Sequence, residues 1–346
     1  GTIPTQLGQL MMLEYLTFSG ALSLSGKIPM VVQQLPSLSY CADQYGISSC
    51  PLMVRCEGTN NPSISDSDPA ETSVKEGSEG DFISHSPPPQ ASRPSPQFTF
   101  IHPCTGTMLD ETTTVVIVRF DGTCTISSIP TQLGQLSSLK ELYFNTSLLH
   151  GTIPTQLGQL TTLTHLSFDL ATSLTGTIPT QLGHLTTLTH LSFNLAESLT
   201  GRIPTQLGQL TALTHLSFSF ASKLTGTIPT QLGLLTELKW LLLGAYKLTG
   251  TIPSQLGQLS ALSYLNLGAF SLTGTIPTEL GRLTALQGLN LGGASSITGT
   301  IPTQLGQLTA LRNLDMQSAS LLIGTIPTQL GQLMMLEYLT FSGALS

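Results

Sequence analysis

Three histidines recur at one constant interval, His165, His190 and His215. Imidazoles suit two kinds of chemistry near neutral pH, ligation of a transition metal and a switch of charge. On adjacent strands their rings would lie about 5 Å apart, close enough to repel one another when all are protonated. A metal centre is not expected, because the nearest carboxylate in sequence is Asp169, beyond Phe168, and no thiolate is near. The same position of later units holds Trp240, Tyr264, Asn313 and Tyr338. A Trp–Tyr pair beside small polar residues suits contact with a sugar or a peptide. The competing expectation is a solvated sheet face whose side chains stack only on their own kind.

Catalytic patterns are thin. The sequence holds no G-x-S-x-G elbow, no P-loop lysine and no H-E-x-x-H pair. Gly292-Gly293 follows a strand pattern but opens no helical one, so it reads as a turn. Asp66, Asp68 and Glu71 fall in a polar, proline-rich stretch where paired carboxylates mean solvation. Neither an enzyme nor a cofactor is expected.

The elements that position these residues form a repeat. Units begin at Gly1, Gly26, Ser127, Gly151, Gly176, Gly201, Gly226, Gly250, Gly274, Gly299 and Gly324, and from Ser127 onward they follow one another without a break. Leu157, Leu160, Leu163, Leu166, Phe168 and Leu174 have counterparts in each neighbour. The stretch Leu163–Asp169 alternates apolar and polar residues, the period of a half-buried strand. One such unit cannot close a core, so the units must stack into a solenoid.

The spacing Leu160-x-x-Leu163-x-x-Leu166-x-Phe168, followed by Leu174-Thr175-Gly176-Thr177-Ile178-Pro179-x-x-Leu182-Gly183, resembles the plant-type leucine-rich repeat family over residues 1–40 and 127–346. The resemblance implies an α/β repeat solenoid, a horseshoe or superhelix with short parallel strands on its concave face and irregular or 3-10 segments on the convex side. It also implies that outward residues of the concave strands bind partners. One departure stands out: the family's buried corner Asn is replaced by Ala171, Ala196, Ala221, Tyr246 or Phe270. Backbone amides at that corner must find other acceptors.

Threonines form a second pattern: Thr152/Thr155, Thr177/Thr180, Thr227/Thr230, Thr275/Thr278 and Thr300/Thr303. With Ile and Pro between them turned inward, they would leave two rows of hydroxyl and methyl groups. Such rows resemble the ice-binding faces of antifreeze solenoids, although Arg202 interrupts one. The same hydroxyls are candidates for O-glycosylation, and Asn145-Thr146-Ser147 is an N-glycosylation sequon.

All five cysteines, Cys41, Cys50, Cys56, Cys104 and Cys124, lie between the two repeat regions. The resemblance implies disulfide-bonded caps, and hence an extracellular or cell-surface setting; an odd count leaves one thiol over. The expected organisation is repeats at 1–40, a Cys-containing C-cap at 41–57, a Ser/Pro/acidic linker at 58–97, an N-cap strand region at 98–126 and the main solenoid at 127–346. Residues 1–23 recur unchanged as 324–346, so the long-range period is the step from Gly1 to Gly324. A tandem parent polymer accounts for this, as do recent duplication of one repeat and an artefact of assembling repetitive sequence. The start at Gly1 fits an excised portion of a longer precursor, and the polymer would continue after Ser346 with Leu-Ser-Gly-Lys-Ile-Pro.

Charge narrows the partners. Charged residues are only 9% of the chain, against about 25% in typical domains. The net charge of −7 arises entirely between Cys41 and Ile126, where eleven acidic residues meet four basic ones. A neutral solenoid offers no footprint for nucleic acid, and no apolar run is long enough to span a membrane. The expected role is therefore structural or adhesive, in a head-to-tail or filamentous assembly of units of that long period. The alternatives are a recognition ectodomain that takes a peptide or glycan on its concave face, and an ice-binding solenoid. The partner would be a second copy, another extracellular protein or a glycan.

Overall fold

The computed structural model describes residues 3–18, 29–42, 99–101, 108–110, 117–121, 128–268 and 271–341. The linker expected at 58–97, most of the C-cap and Cys50, Cys56, Cys104 and Cys124 lie outside these residues, as does the side chain of Cys41.

Each repeat is a short strand, a corner, and a 3-10 turn that returns the chain. In the unit opening at Gly151, the turn spans Thr155–Gln159 and the strand His165–Ser167. Pro154 stands just ahead of the turn at φ −68°, a value its ring fixes. Leu157 then donates its amide to the Pro154 carbonyl, and Leu160 donates to Leu157, both at 3.2 Å. Gly158 is required by close approach: a Cβ there would lie 2.4 Å from the Gln181 carbonyl oxygen of the next repeat. Gly176 is required by conformation, since its φ of +80° suits glycine.

Stacking these units makes one parallel sheet of 12 strands among the described residues. It runs in space from Ile117–Asp121 through Glu141–Asn145, His165–Ser167, His190–Ser192, His215–Ser217, Trp240–Leu242, Tyr264–Asn266, Gly288–Asn290 and Asn313–Met316 to Tyr338–Phe341. The strand pairs from Glu141–Asn145 to Tyr338–Phe341 are in register, with leucine beside leucine, as Leu166↔Leu191↔Leu216 shows. The sheet does not end at Tyr338–Phe341. The strand Tyr15–Thr17 adds to it in parallel, Leu16 beside Leu339, and Tyr40–Ala42 adds to Tyr15–Thr17. The start of the sequence thus lies against its last repeat. Ahead of Ile117–Asp121, Thr99–Ile101 and Met108–Asp110 form a separate antiparallel pair.

The core is a continuous column. Leu157, Leu160, Leu163, Leu166, Phe168 and Leu174 are all at most 1% exposed, and their counterparts in the following units are buried as well. Phe120, Phe144, Phe168, Phe193 and Phe218 stack face to face at centroid distances of 4.9, 5.3, 5.1 and 5.2 Å. From Leu243 to Met316 residues without rings take over this column, before Phe341 and Phe18 stack again at 5.8 Å.

The corner left without Asn is satisfied by backbone. Phe168 donates its amide to the Ser192 carbonyl and Leu170 to the Asn194 carbonyl, each at 2.9 Å, so the ladder runs past the strand end. Leu170, Leu195 and Phe220 reach these acceptors by adopting φ of about +60°, a region that leucine and phenylalanine rarely visit. A second, narrower ladder follows the corner, where Gly226–Thr227, Leu248–Thr251 and Leu272–Thr273 pair in parallel.

Candidate ligand-binding face

The strand register brings the three histidines together. His165, His190 and His215 stack at 4.2 Å between successive ring centroids, with planes 13° apart. His215 stacks on Trp240 at 5.9 Å, and Trp240 on Tyr264 at 4.1 Å. Five rings from five strands thus form one row on the concave sheet. The row ends where Tyr264 lies over Gly288, since a Cβ at Gly288 would stand 2.8 Å from the Tyr264 ring. Asn313 and Tyr338 are exposed further along the same register, and Tyr338 meets Tyr15 at 6.2 Å.

A threonine hydroxyl stands against Nδ1 of each histidine in this row. The Thr189 hydroxyl lies 3.0 Å from the Thr164 carbonyl and 2.8 Å from Nδ1 of His190. A hydroxyl has one proton, so Thr189 either donates to the carbonyl and accepts from Nδ1 or donates to Nδ1, and the ring tautomer follows that choice. Thr164 with His165 and Thr214 with His215 repeat the arrangement. Burial, then the neighbouring His215 and His165, push His190 down to about 4. Burial, then Lys239 and His165, also lower His215. His190 and His215 are therefore neutral at physiological pH. Parallel rings hold their Nε2 atoms side by side and do not converge on one point, and among the described residues no group of His, Cys, Asp or Glu is placed to hold a metal ion.

Two residues along each strand lies a row that the sequence did not reveal as a site. At one end it is closed by its own hydrogen bonds: Ser167 donates to Asn145, Ser192 to Asp169 and Ser217 to Asn194. At the other end the bonding partners Asp169 and Asn194 give way to Gly244, Gly268 and Gly292. There a groove of about 410 Å³ opens over Asn266, Asn290 and Asp315, rimmed by Phe220 and Tyr246. Asn266 accepts from the Gly268 amide at 2.9 Å and Asn290 from the Gly292 amide at 2.6 Å. Asp315 accepts from the Gln317 amide and the Thr340 hydroxyl through the same oxygen, Oδ1. The missing signal was an absence of side chains, which a search for chemical groups passes over.

The threonines divide by partner. Thr152, Thr177, Thr227, Thr275 and Thr300 are exposed, and their methyl groups lie against the glycine that opens the following turn. Thr155, Thr180, Thr230 and Thr303 are exposed at the start of the 3-10 turns and donate to the adjacent glutamine, and Thr278 donates to Glu279. A third row, Thr175, Thr200, Thr225, Thr249 and Thr298, donates its hydroxyls to the carbonyl of the glycine that opens its own unit. The Arg202 stem lies over Gly226 and takes the place of a threonine methyl. Asn145 is half-buried at the end of its strand, and its Oδ1 accepts from Ser167.

Comparison with known proteins places this architecture. No family model matches the sequence, and no curated protein does. Solved structures do. The leucine-rich repeat ectodomain of the Arabidopsis thaliana receptor kinase GASSHO1/SCHENGEN3, in complex with CASPARIAN STRIP INTEGRITY FACTOR 2, is similar at 37% identity and a TM-score of 0.61 over 70% of this chain. The plant peptide hormone receptor RGFR1 in complex with RGF2 is similar at 32% identity and a TM-score of 0.57 over 64%. The Arabidopsis receptor kinase HAESA, in complex with the peptide hormone IDA and the co-receptor SERK1, gives 29% and 0.53 over 63%. The chain spans 28%, 34% and 40% of the lengths of these three proteins. The chain is a leucine-rich repeat protein of the plant type.

Proposed function

We propose that this protein is an extracellular recognition module that holds an extended peptide across its concave sheet. The observation that carries the reading is the stacked row His165–His190–His215–Trp240–Tyr264. It presents aromatic faces along five strands, with the neutral imidazoles of His190 and His215 among them. The similarity to a plant peptide hormone receptor and to HAESA in complex with the peptide hormone IDA supports it. Large aromatic anchors commonly dominate such interfaces. The test is partner capture: replacing Trp240 and Tyr264 by Ala together is expected to abolish peptide binding in a display-library selection while leaving the melting temperature unchanged. Enriched peptides that bind the double variant as well as the parent would sink the reading.

A second reading, extended assembly, is favoured by one feature. The strand Tyr15–Thr17 is accepted by Tyr338–Phe341 without a direct chain connection, so the same edge can receive that strand from another copy. Light scattering across concentration tests it: growth in molar mass at high concentration is expected, and a constant monomer mass excludes it.

A further inference from the structure

We infer that the groove over Asn266, Asn290 and Asp315 is a binding site for a neutral hexopyranose residue of a glycan. The inference is independent of the peptide reading, because none of the five stacked rings lines this groove. Its volume of about 410 Å³ falls within the range of small-ligand sites, about 300–1,000 Å³.

The contrast within one sheet is the first argument. Where Ser167, Ser192 and Ser217 occupy the row, their hydroxyls are engaged by Asn145, Asp169 and Asn194, and the surface is closed. Where Asn266, Asn290 and Asp315 occupy it, each of the two carboxamides commits only Oδ1, to a glycine amide. The Nδ2 donors of both Asn residues, and Oδ2 of Asp315, have no other partner among the described residues. Two glycines of the row also leave no room for a side chain: a Cβ at Gly292 would lie 2.9 Å from Asp315 Oδ2, and one at Gly268 2.7 Å from the Gly292 carbonyl oxygen.

The donor and acceptor set selects the ligand. Each hydroxyl of a sugar both donates and accepts, so a vicinal pair can take a proton from a carboxamide and give one to a carboxylate. Phe220 and Tyr246, both exposed and meeting edge to face at 6.3 Å, give the rim an apolar face for the C–H side of the ring. No lysine or arginine lines the groove, so Asp315 disfavours an anionic sugar.

The test is calorimetry and saturation-transfer NMR on the full chain with cellohexaose, mannohexaose and laminarihexaose, and with a galacturonic acid hexamer as the acidic counterpart. At least one neutral hexamer is expected to bind. The shape-conserving Asp315→Asn should weaken it about tenfold, and Asn290→Asp, which keeps the Oδ1 acceptor of the Gly292 amide and removes the Nδ2 donors, by a similar factor, with unchanged melting temperatures. Trp240→Ala should leave sugar binding intact, which keeps this outcome separate from that of the peptide test. The inference is overturned if no neutral hexamer binds, if binding survives both groove substitutions, or if the acidic hexamer binds more tightly.

Discussion

The hydroxyl of Thr189 sits 2.8 Å from Nδ1 of His190 and 3.0 Å from the Thr164 carbonyl. That relationship ties the tautomer of a half-buried imidazole, stacked between two others, to the direction of one hydroxyl proton. Replacing Thr189 by Val should remove the partner of Nδ1 and release the tautomer. In ¹⁵N spectra of the imidazoles, the parent is expected to show a single tautomer at His190, and the variant a mixture. An unchanged spectrum would show that stacking alone sets the proton.

Acid should weaken the fold through this row. Above pH 6.5, His190 is neutral whether the chain is folded or unfolded, and it adds no pH dependence. Below 6.5 the unfolded chain takes up a proton, while the folded ring resists until about 4. Stability therefore falls as pH drops through that window. The ring is only half-buried, so solvent reduces the effect. Chemical denaturation at pH 7.5 and 4.5 should give a smaller difference for His190→Gln than for the parent; equal differences would refute the coupling.

The two glycine roles predict different penalties. At Gly158 an alanine meets backbone of the next repeat at 2.4 Å, and overpacking of that kind costs about 1–3 kcal/mol or more. At Gly176 the obstacle is φ +80° together with a threonine methyl at 2.8 Å; the left-handed conformation alone costs about 1–2 kcal/mol. Urea unfolding should show both variants destabilised, and Gly158→Ala should cooperate with substitutions in the next repeat.

Phe193 lies in the middle of the aromatic column, stacked on Phe168 and Phe218. Phe193→Ala should cost about 3–5 kcal/mol. Phe193→Leu should cost much less, because Leu243, Leu267 and Leu291 fill the same position in later repeats with at most 1% exposure. Comparable losses for both would show that ring stacking, and not volume, holds this end of the core.

Sequence legibility followed periodicity. Leu166, Phe168 and Leu174 announce their burial because every unit repeats them, and the same register places His165, His190, His215, Trp240 and Tyr264 in one row. The corner was harder. That Ala171 replaces Asn was visible, but its remedy was not, because nothing in a leucine signals the left-handed turn of Leu170. The groove was illegible as a cavity: Gly244, Gly268 and Gly292 matter for the side chains they lack. Nor could identity between residues 1–23 and 324–346 say which neighbour the first repeat would choose.

That choice has a kinetic meaning. From Gly151 to Phe341 each repeat meets the one just before it in the chain, so order can spread from any point by short steps. The contact of Leu16 with Leu339 joins nearly opposite ends of the sequence and must wait for its template to exist. The segment that comes first in sequence is therefore the last to gain its structure. Hydrogen exchange should find Tyr15–Thr17, together with Tyr40–Ala42 beside it, opening ahead of every strand from Glu141 to Met316 as a separate cooperative unit at the end of the stack.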